Sequence, residues 1–237
     1  MKLAEIFDQL TFGELAQHYI GGREEHGAVQ PEYYWALIPH INLAMTKLYT
    51  RFPLRTEEAI IELSSTKTLY KLHTDYAQTN TTSTAPLKYI ADSASAPFEN
   101  NLISIRAIYN ELGEEYILND ESSWKAIMTP SYNIIQHPFP DDENIMHVVY
   151  QAGPTKIALA VGGDPREYEI ELPDALLEAL LYFVASRLHT GLIVQEVEGT
   201  NNNYRQLYEQ SCQKAEELGL FRDTNWGNTK FINHGWI

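Results

Sequence analysis

The sequence predicts an α+β protein: a helical bundle formed by N- and C-terminal segments, with an inserted β-rich domain between them. Three observations carry this. Apolar residues recur every three to four positions near both ends of the chain, the helical period. In the middle they alternate every second position, the period of a strand. Helices, then strands, then helices leave the first and last helical segments as each other's nearest cover. The expected boundaries are 1–58 for the first part of the bundle and 59–172 for the inserted β-rich domain. The second part of the bundle follows over 173–219, and a tail over 220–237.

Thr11, Phe12, Gly13 and Glu14 fit a capping box, Thr at the N-cap and Glu three residues on. This predicts a short helix to about Ile20, stopped by Gly21 and Gly22. Leu37, Ile41, Ala44, Met45, Leu48 and Phe52 then make one apolar face of a longer helix. Pro39 lies inside this run and is expected to kink the helix or to begin its regular part. Pro53 ends it.

The middle reads as strands. Tyr70, Leu72, Thr74 and Tyr76 alternate with Lys71, His73 and Asp75, and Ile103, Ile105 and Ala107 with Ser104 and Arg106. Ile145 to Tyr150 and Thr155 to Val161 flank a turn at Gly153-Pro154. Tyr168, Ile170 and Leu172 alternate with Glu167, Glu169 and Glu171. Residues 78–101 are rich in Thr, Ser, Asn, Ala and Pro and read as a long loop.

Pro173 and Asp174 open a third helical run with Leu176, Leu177, Leu180, Leu181, Phe183, Val184 and Leu188 on all its sides. A helix apolar all round is buried all round, and Gly191 fits its end. Tyr204, Leu207, Tyr208, Cys212, Ala215 and Leu218 make an amphipathic helix ending at Gly219. The tail carries Phe221, Trp226, Phe231 and Trp236, spaced five apart. These aromatics either fold back on the chain's own core or anchor on a partner.

Charge narrows the function. The 237 residues hold 17 Lys+Arg and 32 Asp+Glu, a net charge of −15. Cationic side chains supply most of the attraction to a phosphate backbone, so gripping nucleic acid is disfavoured; a basic membrane-surface protein is excluded. The excess is not that of a disordered tail. Leu, Ile, Val and Phe make up 60 of the 237 residues, enough for a core. The surplus is uneven: residues 92–121 carry seven acids and one base, residues 164–178 six and one, and residues 220–237 one acid and two bases. Cys212 is the lone cysteine, which leaves no intrachain disulfide and no cysteine-based zinc site. The N-terminus lacks the apolar core of a signal peptide. The longest apolar run, Ala179 to Ala185, falls far short of a bilayer span. A soluble protein made in a reducing cytoplasm, with no membrane partner, is expected.

Catalytic patterns are sparse. Gly21-Gly22 and Gly162-Gly163 are pairs, not phosphate-cradling loops, and there is no G-x-S-x-G or H-E-x-x-H. Asp141-Asp142-Glu143, after Pro138-Phe139-Pro140, could hold a cation or split its pKa values for acid/base work. Pro and Asp at such spacing more simply make a solvated turn, and the further ligands of a calcium loop are missing. Asp120-Glu121 and Glu114-Glu115 read as solvated turns too. His137 and His147 lie near these acids in sequence, where surface pairing or a place in a sheet outweighs a proton shuttle. Cys212 reads as a small core residue. No enzyme, cofactor or metal is expected.

Two helical stretches and the ending carry a family resemblance. Ile38-Pro39-His40-Ile41-Asn42-Leu43-Ala44-Met45-Thr46-Lys47-Leu48-Tyr49-Thr50-Arg51-Phe52 is similar to the second helix of head–tail connector (adaptor) proteins of tailed bacteriophages. Ile170-Glu171-Leu172-Pro173-Asp174 through Leu188 resembles the segment that opens their long central helix. Lys230 to Ile237 looks like the extended arm with which they end. The inserted β part is larger than in the smallest adaptors and looks more like that of short-tailed phages.

The resemblance implies a virion structural protein at the head–tail junction, forming a homo-oligomeric ring, usually of about twelve copies, below the portal protein. Residues 220–237 become an extended C-terminal docking arm that reaches the portal through Phe221, Trp226, Phe231, Trp236 and Ile237. Leu37, Ile41, Met45, Leu48, Leu177, Leu180, Leu181 and Val184 become ring and bundle packing residues. The β domain faces outward or toward other tail proteins. Double-stranded DNA passes through a central channel without specific binding, and an acidic wall suits that passage because like charges repel. The alternatives are a more distal tail or nozzle ring, a tail-completion protein, or a hydrolase using the carboxylates around Asp141.

Overall fold

The computed structural model describes residues 1–16, 34–140, 144–158, 163–191 and 198–221, with the side chains of 189–191 and 198–202 outside the description. Among these residues the chain is α+β, with four helices and two antiparallel sheets.

Helix α1 spans Leu3–Phe12. Leu3, Ile6, Phe7 and Leu10 recur at helical spacing and all are fully buried. This corrects the capping-box expectation. Thr11 lies inside the helix and its Oγ1 donates to the Phe7 carbonyl at 2.6 Å, so it caps nothing. The burial of four apolar side chains, each worth about 2 kcal/mol, outweighs a cap worth about 1 kcal/mol. Residues 17–22, the rest of that expected helix and its stop, lie outside the described residues. Helix α2, Tyr34–Arg51, contains Pro39 and buries Leu37, Ile41, Ala44, Met45 and Leu48 as the periodicity predicts. Phe7 stacks on Tyr34, centroids 4.2 Å apart and rings 4° from parallel, and so ties α1 to the start of α2.

Seven strands follow. Strand β1, Thr56–Glu62, and strand β7, Ile145–Ala152, pair antiparallel from Thr56↔Gln151 to Glu62↔Ile145. Strand β4, Leu102–Asn110, lines the other side of β7 with two bulges, and the short β3, Ile90–Ala91, lines β1. The first sheet therefore has the order β3-β1-β7-β4. A second, three-stranded sheet has the order β2-β6-β5, from Leu69–Lys71, Ile134–Gln136 and Met128–Ser131.

Several strand expectations are corrected here. The alternation over 70–76 ends after Lys71, because Thr74–Tyr76 form a 3-10 turn in which the His73 ring nitrogen accepts the Asp75 N–H. Residues 155–158 form no strand, and 159–161 lie outside the described residues. Residues 168–172 form none either; they pair instead with the N-terminus. Leu3 N–H donates to the Tyr168 carbonyl and Ile170 N–H to the Met1 carbonyl, at 2.9 and 2.8 Å. The long loop 78–101 holds β3 at buried Ile90 and is otherwise irregular, as expected.

Helix α3, Leu177–Gly191, follows a 3-10 turn at Asp174–Leu176. Leu180, Val184 and Ala185 are fully buried, whereas Leu177, Tyr182 and Phe183 are half-buried and Glu178 and Arg187 exposed. The helix is thus not buried all round within one chain. Helix α4, Glu198–Glu217, buries Tyr208, Cys212 and Ala215. It ends as expected: Gly219 has φ +65°, and the N–H groups of Gly219 and Leu220 return to the Glu216 and Ala215 carbonyls. This double return at a left-handed glycine satisfies the orphan carbonyls of the last turn.

Two cores result. One joins residues 3–52 to 170–215, with α3 packed against α1, α2 and α4; the other lies between the sheets, from Ala59 to Ala152. The side chain that links them is Gln151, 2% exposed, at the end of β7. Its amide Nε2 donates to the carbonyls of Tyr49 and Phe52, the latter at 3.2 Å. Its Oε1 accepts from Ser104 Oγ, at 3.3 Å, and from the Arg106 guanidinium. Both amide hydrogens and both lone pairs of the side chain are used; the orphan Tyr49 carbonyl in the last turn of α2 finds a donor, and the Phe52 carbonyl gains a second one beside the Leu54 N–H at 2.8 Å.

Replacing Gln151 by Leu keeps roughly the same volume and removes the side-chain donor from the buried Tyr49 carbonyl. Urea unfolding at pH 7 should show a loss of about 3 kcal/mol, and Gln151→Glu, which turns a carboxylate toward two carbonyls, should lose at least as much. A loss under about 0.5 kcal/mol for both would show that this link is not needed.

Candidate functional site

The polar groups around Gln151 form a junction between the two cores. Arg55 follows α2 and leads into β1; its carbonyl accepts the Ala152 N–H at 3.0 Å, so the start and end of the β segment lie side by side. Its guanidinium meets Glu57 at 2.5 Å and Glu171 at 3.7 Å and donates to Thr155 Oγ1 at 3.1 Å. Glu57 Oε2 also accepts from Tyr150 Oη at 2.8 Å and Asn101 Nδ2 at 3.1 Å. Burial and that hydrogen bond to Glu57 hold the Tyr150 phenol well above the usual tyrosine range. Tyr49 donates its hydroxyl to the Glu171 carbonyl, and burial, with the Glu171 charge behind it, pushes its pKa up. Asn42, on α2, binds the strap after β7 in both directions, accepting the Ile157 N–H at 2.9 Å and donating to the Ile157 carbonyl at 3.1 Å.

A cleft of about 400 Å³ opens here, lined by Tyr49, Leu54, Arg55, Glu171, Leu172 and Pro173. Its one cation is balanced by Glu57 and Glu171, and its tyrosine is held protonated. The groups are spent on fixing one part of the chain to another. No set of three or more His, Cys, Asp or Glu able to hold a metal is present among the described residues, and no helix among them is long and apolar enough to cross a membrane.

Two further contacts close the helical part. Arg51 on α2 reaches Glu209 at 2.6 Å and Glu216 at 2.7 Å on α4. Its hydrogen bond draws the Glu216 carboxyl below the usual range. At the other end, Tyr204 of α4 donates to the Glu14 carbonyl at 3.1 Å, and Tyr182 of α3 donates to Glu178 Oε1 at 2.9 Å. That bond to Glu178, with burial behind it, pushes Tyr182 up to about 12. Glu14 Oε2 is buried with no hydrogen-bond partner among the described residues. Burial above all, and the charge of Glu178, raise its pKa above the ordinary 4.5.

The expected packing residues Leu37, Ile41, Met45, Leu48, Leu180, Leu181 and Val184 are buried in the chain's own helical core, and Leu177 is half-buried at its edge. Phe221 packs edge-to-face on Phe52, centroids 5.4 Å apart. Trp226, Phe231, Trp236 and Ile237 lie outside the described residues, as do Asp141, Asp142 and Glu143. His147 pairs with Glu58 across β7 and β1. His137 accepts the Phe139 N–H on Nδ1, and burial lowers its pKa. Its Nε2 therefore carries the proton, and it is buried without a partner among the described residues. Cys212 is buried, and burial pushes its thiol pKa up, so it is a core residue and not a nucleophile.

Sequence reasoning missed Gln151 and the strands β1, β3, β5 and β6. It also missed the exposed stripe Trp35, Pro39 and Leu43 on α2, spaced four apart opposite the buried face. That spacing was the available signal for the stripe. Gln151 gave none.

At this junction the polar groups hold separate parts of the chain together. The family model described as SU10 adaptor protein matches residues 11–225, and the chain belongs to that family, whose members are structural adaptors of bacteriophages. This agrees with the resemblance to head–tail adaptors. None of the curated proteins compared with the chain matches it.

Glu14 sets a pH dependence. A carboxyl whose pKa is raised by folding stabilises the fold below its unfolded value, and that contribution is lost as pH rises through the folded one. Glu14→Gln removes the charge penalty. It should raise the urea midpoint at pH 7 and change little near pH 4; an equal gain at both pH values would refute the assignment.

Proposed function

We propose that this chain is the head-to-tail adaptor of a virion: about twelve copies form a ring that joins the portal protein to the tail and surrounds part of the DNA ejection channel. The family match over residues 11–225 carries the proposal. In this reading residues 1–58 and 173–219 are the two parts of a helical bundle that builds the ring, and residues 59–172 are an inserted domain turned toward other tail proteins. Residues 220–237 are the extended arm that docks on the portal through Phe221, Trp226, Phe231, Trp236 and Ile237.

The physical features support it. Leu177, Tyr182 and Phe183 are only half-buried on a helix that is mostly apolar, which suits further cover by a neighbour. The paired start and end of the β segment let it project from the helices without disturbing them. A charge of −15 lets DNA pass without adhering. The role is structural, with no cofactor and no metal, at the head–tail junction of the virion.

Mixing the full chain with purified portal rings should give a complex whose native mass fits a closed ring of this chain on the portal. Deleting 222–237, which leaves Phe221 on Phe52, should abolish portal binding and leave the urea midpoint unchanged. Retained binding by the shortened chain overturns the arm assignment. A full chain that ignores portal rings and binds a purified tail ring instead overturns the portal-proximal role in favour of a more distal ring.

A further inference from the structure

The second sheet carries an aromatic pair that the junction does not use. Trp124 comes four residues before β5 and Phe139 three after β6, so the β5–β6 hairpin brings them together. Their rings meet edge-to-face, centroids 5.2 Å apart, while Trp124 remains 70% and Phe139 61% exposed. Exposing two large aromatics together forfeits their burial energy, and such side chains dominate the energetics of protein interfaces.

The pair is held stiffly. Asn119, at φ +54°, accepts the Thr129 N–H at 2.8 Å and donates to Thr129 Oγ1 at 2.8 Å. Asp120 Oδ1 accepts from Ser122 N–H and Oγ at 2.9 and 2.6 Å. Ala126 and Ile127 anchor the loop in the core, and the Ile127 N–H donates to the carbonyl of Ile117, which is itself 58% exposed. On the other flank the Phe139 N–H is held by His137, whose ring packs edge-to-face on Tyr116. The backbone that carries both aromatics is therefore held before any partner arrives, which lowers the ordering cost of binding.

The surroundings are acidic. Residues 111–125 hold five acids, Glu111, Glu114, Glu115, Asp120 and Glu121, and one base, Lys125. That base already sits over the Trp124 ring, Nζ 5.1 Å from the centroid. The ring thus holds a cation on one face, and Asp120 and Glu121, four and three residues before it in the chain, favour further positive charge.

We infer that the Trp124–Phe139 pair and the carboxylates beside it form a docking surface for a cationic, partly apolar segment of another virion protein. An acidic segment of a second copy, such as residues 92–121 or 164–178, is electrostatically the wrong partner for this patch, and the ring contacts proposed above use the helical faces instead. The inference takes the partner's whereabouts from the adaptor reading and the surface from the side chains themselves.

The test places p-benzoylphenylalanine in the full-length chain, in turn at 124 and at 125, with position 132, exposed at the tip of the same hairpin, as the control. Assembled virions are irradiated and the crosslinked peptides sequenced. Positions 124 and 125 should crosslink to one segment of another virion protein that carries Lys or Arg, with at least fivefold the yield from position 132. Glu121→Lys should cut that yield at least fivefold while leaving the unfolding midpoint unchanged. Crosslinks to another copy of this chain, to DNA, to an acidic segment or to nothing overturn the proposal and leave the adaptor reading standing. Absence of the wild-type chain from virions overturns both.

Discussion

A buried amide is costly unless every hydrogen bond it can make is made, and Gln151 meets that condition by facing both cores at once. Its donors close the end of α2 and its acceptors take up Ser104 and Arg106 of β4. The end of β7 is thereby pinned to the end of α2. Around it, Arg55 ties the start of β1 to Glu57 and Glu171, and Asn42 ties the strap after β7 back along α2. Neither core contains this geometry alone. An apolar residue at 151 would remove the side-chain tie between the end of α2 and β4.

The same economy holds for the reactive groups among the described residues. Charged groups at the junction are balanced locally, tyrosines are held protonated by burial, and the lone thiol is sealed in the core. Among the large apolar side chains left exposed are the Trp35, Pro39 and Leu43 stripe on α2 and the aromatic pair beside the second sheet. A structural adaptor needs surfaces held in a set relation to one another, and that is where the buried polar groups are spent.

Long periodic segments were legible in the sequence. Helix α2, strand β7 and helix α4 each repeat their pattern often enough that local and tertiary preferences agree. Helix α1 was misplaced because a four-residue capping pattern was weighed above the spacing of Leu3, Ile6, Phe7 and Leu10. The alternation at 168–172 was real, but its partner is the N-terminal stretch at Met1–Leu3, not a sheet. Strands β5 and β6, four and three residues long, are too short to show a period at all.

By itself, then, the sequence determined the α+β class, the acidic body, the absence of a catalytic motif and the likeness to phage adaptors. These depend on composition and on patterns local to the chain. The tertiary structure alone decided that Gln151 meets carbonyls some hundred residues away, that Arg51 bridges α2 and α4, and that Trp124 meets Phe139 across a hairpin. Such contacts join residues distant in the chain, and nothing in the spacing of residues along it encodes which distant backbone groups will need a partner.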